Sequence, residues 1–214
     1  MAYVLGYIAA DGNISIGKRG NCYLALEGID EDLIVSIKRV LGSGHAITSR
    51  RRNERYNRSY RLQIGSKEIV GDLIKLGLTP RKSKRLHLPD VPKKYFGDFV
   101  RGYFDGDGNI FFSKYRRKDR RFGYIKHIHV LFTSASCKML KALAFRLESD
   151  AFIFGYKLMD FETYHRLYYY RVVEICKIYD LFYGHKPTLY LNRKFVYFKE
   201  ALEKMNMGAS HSPV

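Results

Sequence analysis

Asp11 and Asp107 each close an apolar segment with the same Asp-Gly step, in a chain that is otherwise strongly basic. The segments read Val4-Leu5-Gly6-Tyr7-Ile8-Ala9-Ala10-Asp11-Gly12 and Val100-Arg101-Gly102-Tyr103-Phe104-Asp105-Gly106-Asp107-Gly108. Each runs into Asn and a strand-like stretch, Asn13-Ile14-Ser15-Ile16 and Asn109-Ile110-Phe111-Phe112. Gly6 and Gly102, like Gly12 and Gly108, keep the 96-residue spacing of the two aspartates (107 − 11). A segment repeated in register about half a chain away implies two similar subdomains related by a pseudo-two-fold axis. It brings one carboxylate from each half to equivalent positions. Paired acids at such an axis, in a basic chain, are suited to metal-assisted cleavage of nucleic acid.

The elements that position these acids follow from the pattern around them. Asn13–Ile16 and Tyr23–Glu27 alternate about a turn at residues 17–21, which predicts a hairpin. Asp30 opens a helix in which Leu33, Ile34, Ile37 and Val40-Leu41 recur at helical spacing until Gly42. A second hairpin joins Ala46–Ser49 to Tyr60–Gly65, and Ser66 caps a further helix ending at Gly77. The first half therefore reads α-β-β-α-β-β-α. Residues 79–95 are a basic, proline-bearing connector. The second half repeats the order: a helix over Phe99–Gly106, a hairpin over Asn109–Thr133, a helix over Ser134–Ser149, a hairpin over Phe152–Arg171 and a helix over Ile175–Phe182. A last amphipathic helix is predicted over Arg193–Lys204, followed by a small polar tail. The expected organisation is a first repeat over 1–78, a linker over 79–95, a second repeat with its C-terminal helix over 96–204, and a flexible tail over 205–214.

With 38 Lys and Arg against 21 Asp and Glu, the 214 residues carry a formal charge of +17, a field that favours a polyanionic partner. No apolar run approaches the roughly 20 residues of a membrane-spanning helix, and Tyr3–Ala10 lacks the basic flank of a signal peptide. Cys22, Cys137 and Cys176 are odd in number, far apart and without a CxxC spacing. They read as small buried hydrophobes, not as a disulfide framework or zinc site, and imply an intracellular, reducing compartment such as a bacterial cytoplasm or an organelle.

Strand alternation assigns the faces. Ile14, Ile16, Leu24, Leu26, Leu62 and Ile64 should point to the helices, as should Ile128, Val130 and Phe132. The opposite face then holds Asn13, Ser15, Tyr23, Glu27, Arg61 and Gln63 in the first half, and His127, His129 and Thr133 in the second. Such a face suits base edges and phosphates. The hairpin residues Lys18, Arg19, Arg50, Arg51, Arg52, Lys114, Arg116, Arg117 and Arg120, with Arg166 and Arg171, are the further candidates for DNA contact.

The two motif segments and the order around them resemble the LAGLIDADG homing endonucleases in their single-chain, two-repeat form, over nearly the whole chain. The resemblance implies an α+β fold of two pseudo-symmetric αββαββα subdomains whose antiparallel sheets bind DNA. It implies a monomer that cuts both strands of a long asymmetric site with Mg²⁺ or Mn²⁺. Asp11 and Asp107 would be the metal ligands, joined by the preceding residues Ala10 and Gly106. Lys82 matches the family's basic position near the active site in the first half and Lys194, favoured over its neighbour Arg193, matches it in the second; they would act in catalysis or anchor phosphates. Asp105, whose counterpart is Ala9, falls to an interface or solvent role. Relatives of this fold that splice intron RNA as maturases, or regulate transcription without cutting, give the alternative reading, with intron RNA as a further partner.

Overall fold

The computed structural model describes residues 1–51, 53–55, 57–116 and 124–206. The first repeat runs α1 (Ala2–Asp11), β1 (Asn13–Ile16), β2 (Cys22–Gly28), α2 (Glu31–Val40), β3 (Ile47–Arg50), β4 (Ser59–Gly65) and α3 (Lys67–Lys75). The second runs α4 (Lys93–Asp107), β5 (Gly108–Arg116), β6 (Tyr124–Ser134), α5 (Cys137–Ala151), β7 (Lys157–Asp160), β8 (His165–Tyr169) and α6 (Val172–Tyr183), and α7 (Asn192–Asn206) follows it. Each repeat folds its strands into one antiparallel sheet, in the orders β1-β2-β4-β3 and β5-β6-β8-β7. The second strand of each repeat thus pairs with the fourth.

Local chemistry sets the helix ends. Ser66 and Ser136 accept hydrogen bonds from the backbone N–H of Ile69 and Met139, three residues on, and so start α3 and α5. Leu33, Ile34 and Ile37 bury one face of α2, and Gly42 ends the turn after it with a φ of +60°. The buried helix faces close on Leu24, Leu26, Leu62 and Ile64 in one repeat and on Ile128, Val130, Phe132 and Leu167 in the other, forming one continuous core.

The repeats meet through α1 and α4. A Cβ built on Gly6 would collide with the Phe99 carbonyl and lie 2.8 Å from the Tyr103 nitrogen. A Cβ on Gly102 would collide with the Tyr3 carbonyl and lie 3.0 Å from the Tyr7 nitrogen. The 96-residue offset maps Tyr3 onto Phe99 and Tyr7 onto Tyr103, so the two collisions are symmetry mates. Backbone-to-backbone packing this close needs glycine at both crossing points.

Several expectations are corrected. α4 starts at Lys93, inside the stretch read as connector, with Pro92 directly before it. α5 starts at Cys137, because Ser134 completes β6 and Ser136 serves as the cap. Ile16 sits on the inward side of β1 but at its open end, and is 52% exposed. The cysteines are not buried hydrophobes: Cys22 and Cys137 are half-buried and Cys176 is exposed.

Candidate metal and nucleic-acid site

Asp11 and Asp107 are the last residues of α1 and α4, so the helix packing fixes both carboxylates where the two repeats meet. The Asp11 carboxylate reaches across the seam: Oδ2 lies 3.1 Å from where a Cβ on Gly106 would be, and such a Cβ would also strike Ala10. Gly12 and Gly108 follow with extended backbone, and their lack of a side chain serves a close approach, each abutting the carbonyl of the residue four before it, Ile8 and Phe104.

The electrostatics are those of two acids pushed together. Burial raises the pKa of Asp107 to about 6, with the Asp11 charge adding to it. Burial also raises Asp11. A folded-state pKa above the unfolded value means that ionisation costs stability, a cost fully present above pH 6 and absent below about pH 4. Asp107→Asn is therefore expected to stabilise the metal-free protein at pH 7 by about 1 kcal/mol, or roughly 2–4 °C in Tm, after discounting for the solvent that reaches the carboxylate. Thermal melts of both proteins across the pH range check this. The gap should shrink as pH falls through 6, and a gap that is absent or grows on acidification contradicts it.

Lys82 and Lys194 are buried, and their ammonium groups face inward. Lys82 donates to the carbonyls of Gly12 (2.5 Å) and Ala10 (3.4 Å). Lys194 donates to those of Gly108 (2.6 Å), Phe104 (2.7 Å) and Asp105 (2.9 Å). Each lysine satisfies the open carbonyls at the C-terminus of its own motif helix, where a cation also offsets the helix dipole. Burial lowers both pKa values, that of Lys194 to about 8. Their fields cross the seam: of the two lysines, Lys194 acts more strongly on Asp11 and Lys82 on Asp107. Arg193, the neighbour of Lys194, instead pairs with Asp30 at 3.0 Å. Asp105 is 2% exposed and accepts from the Tyr3 hydroxyl (2.7 Å) and the Leu191 N–H (2.8 Å), which makes it an interface residue.

Beside Asp107 opens a cleft of about 740 Å³, walled by the outer face of the second sheet through Phe111, His129, Leu131, Thr133, Arg166 and Tyr168. Strand register aligns the two outer faces. Asn13, Ala25 and Gln63 lie abreast in the first sheet, as Asn109, Leu131 and Tyr168 do in the second. Ser15 beside Tyr23 corresponds to Phe111 beside His129, and Arg61 opposite Glu27 corresponds to Arg166 opposite Thr133. The first face is polar and exposed at Asn13, Ser15, Arg61 and Gln63, with Arg61 donating to Gln63 at 2.9 Å. The second is aromatic: Phe111 is 53% exposed, the rings of His127 and His129 stack at 6.1 Å, and Tyr115 stacks on His127 with its hydroxyl 2.6 Å from Nε2.

The remaining candidates scatter around these faces. Lys18 and Arg19 are exposed in the β1–β2 turn, Arg50 ends β3, and Arg51 follows it with a hydrogen bond to the Glu54 carbonyl. Lys114 lies over the Tyr124 ring, and Arg116 pairs with Tyr124 across the strands. Arg171 follows β8 and is the residue from which α6 starts. Arg52, Arg117 and Arg120 lie outside the described residues. Phe111 and Tyr168 were missed as candidates on this face. Strand alternation placed them outward, but their apolar character did not suggest it.

Residues 1–75 match the sequence model of the LAGLIDADG-like domain. No curated protein matches the chain. Among solved structures, I-SmaMI bound to an uncleaved DNA target in the presence of calcium ions is similar at a TM-score of 0.69 and 14% identity, over 99% of this chain and 93% of that one. The meganuclease I-AabMI bound to uncleaved DNA is similar at 0.66 and 12%, over 96% and 91%. The homing endonuclease I-LtrWI bound to target DNA is similar at 0.68 and 14%, over 96% and 90%. The first 75 residues are thus a LAGLIDADG-like domain, and the chain as a whole has the fold of the LAGLIDADG homing endonucleases.

Proposed function

We propose that the protein is a site-specific endonuclease that cuts both strands of a long, asymmetric duplex DNA target, with Mg²⁺ or Mn²⁺ held by Asp11 and Asp107. The observation that carries this reading is the convergence of one carboxylate from each repeat where the two sheets of a strongly basic chain meet. The donor set fits the cation: two carboxylates that disfavour each other's charge, beside carbonyls of Ala10 and Gly106 that their lysines reach only at 3.4 Å. When bound, the cation would neutralise charge on the scissile phosphate and orient the attacking water. The chain's own part is to hold that centre rigid. Lys82 and Lys194 are positioning residues that fix the helix ends and temper the repulsion between the acids, and the sheets grip the flanking duplex. That DNA-bound structures of similar fold exist supports duplex DNA as the partner. The test is incubation with a randomised duplex library in Mg²⁺ and sequencing of the cut ends. One family of related, non-palindromic sites is the expected outcome, and a preference for structured RNA without cutting would favour the maturase reading.

The two faces read different chemistry within that site. Arg61 and Gln63 offer hydrogen bonds to base edges, so Arg61→Ala is expected to relax specificity at one or two base pairs of the first half-site, at about 1–3 kcal/mol. Phe111, 53% exposed, offers apolar surface, which suits the thymine methyl group. Replacing thymine by uracil in the second half-site should weaken binding by about 0.8 kcal/mol per contacted methyl, roughly fourfold. The same replacement in the first half-site should have little effect, and Phe111→Ala should erase the difference. Equal sensitivity of the two half-sites in competition binding would contradict this assignment.

A further inference from the structure

The strand register that aligns the outer faces also aligns a position on the helix side of each sheet. Gly28 pairs with Tyr60 in the first repeat as Ser134 pairs with His165 in the second. Tyr60 is in turn paired with Ser49, and His165 with Asp160. The residue that opens the neighbouring helix is Glu31 in one repeat and Cys137 in the other. The trio Glu31, Tyr60 and Ser49 is therefore replaced, position for position, by Cys137, His165 and Asp160. In the first repeat this place holds an interacting pair, the Glu31 carboxylate lying close enough to the Tyr60 hydroxyl to raise its pKa.

We propose that Cys137, His165 and Asp160 are a cation site of the zinc class that clamps the β7–β8 hairpin to α5. One donor atom from each residue lies within 4.8 Å of the other two. A sulfur, an imidazole nitrogen and a carboxylate oxygen form a mixed set that suits Zn²⁺ and Co²⁺ and is a poor match for Mg²⁺. His165 Nδ1 and Asp160 Oδ1 are 2.5 Å apart, a hydrogen bond. Donors sharing a tetrahedral cation stand roughly 3.3 Å or more apart, given bonds of about 2.0–2.3 Å. The carboxylate must therefore swing by about 1 Å, and the Asp160 side chain, 70% exposed, is free to do so. Water completes the fourth position, and the Cys137 thiol gives its proton to solvent as the metal binds. Arg166, next to His165, points to the opposite face and into the cleft. The cation would thus brace the recognition surface from behind, and it does not depend on the nuclease reading.

Co²⁺ titration of the whole chain tests this, because Asp11 and Asp107 offer only oxygen and cannot give a thiolate-to-cobalt charge-transfer band. The expected result is that band at one equivalent, with tetrahedral visible absorption, displaced by Zn²⁺. Cys137→Ser and His165→Ala should abolish it. Cys22→Ser and Cys176→Ser should keep it, and Asp160→Asn should weaken Co²⁺ binding tenfold or more. In the Asp11→Asn Asp107→Asn background, where the other cation site is removed, Zn²⁺ should raise the Tm, and adding Cys137→Ser should remove that rise while leaving a cooperative melt, which also shows that the variant folds. Absence of the band in folded wild type, or its survival in Cys137→Ser, overturns the proposal.

Discussion

Asp11→Asn and Asp107→Asn are each expected to abolish double-strand cleavage while leaving the fold and duplex binding in place. Asparagine keeps the shape of the side chain and its place at the helix end, but it gives up the charge that draws a divalent cation. Charge stabilisation of a phosphoryl transition state by metal is worth several kcal/mol, so losing it should lower the rate by about a thousandfold or more. Binding should hold or tighten, because a negative charge near phosphate is removed. Gel-shift binding and plasmid linearisation, measured on the same preparations, separate the two effects. Either variant linearising at the wild-type rate in Mg²⁺ would remove the paired-ligand assignment.

The largest stability effects should come from the helix crossing. Gly6→Leu and Gly102→Leu place a side chain against the partner helix's backbone, which cannot yield as a flexible side chain can. Each should cost about 3 kcal/mol or more, at the upper end of overpacking, and should loosen the geometry that brings the two acids together. Gly71 gives the contrast. It lies within α3 with nothing inside 4 Å of a new Cβ, so Gly71→Ala should stabilise by up to about 1 kcal/mol through helix propensity alone. Urea midpoints of these variants check both signs. A Gly6 or Gly102 variant as stable as the wild type would mean that the helices are not in backbone contact.

Much of this architecture was legible in the sequence because it is written locally. The 96-residue repeat, the small residues at the crossing and the period-2 strands give α1, α4 and both outer faces directly. What was not legible depends on distant pairing. The β2–β4 and β6–β8 partnerships bring Arg61 beside Glu27 and Arg166 beside Thr133, and no short window contains them. The position of Lys194 pointed to the acids, but its bonds to carbonyls nearly 90 residues away show what it does there. Hydropathy misled at the second sheet's surface, where Phe111 looks like core and is half-exposed. It misled too at Cys137, whose neighbours only the fold supplies.

The central claim is that two carboxylates, one from each repeat, act as a single metal-dependent cutting centre. Its most direct test follows a supercoiled plasmid bearing the selected site, incubated with wild type, with each Asn variant, and with wild type plus chelator. Linear plasmid from the wild type in Mg²⁺ alone, and none from either variant or in chelator, is the predicted result. Linear plasmid that forms in the presence of chelator, or from the Asp11→Asn Asp107→Asn double variant, would contradict it.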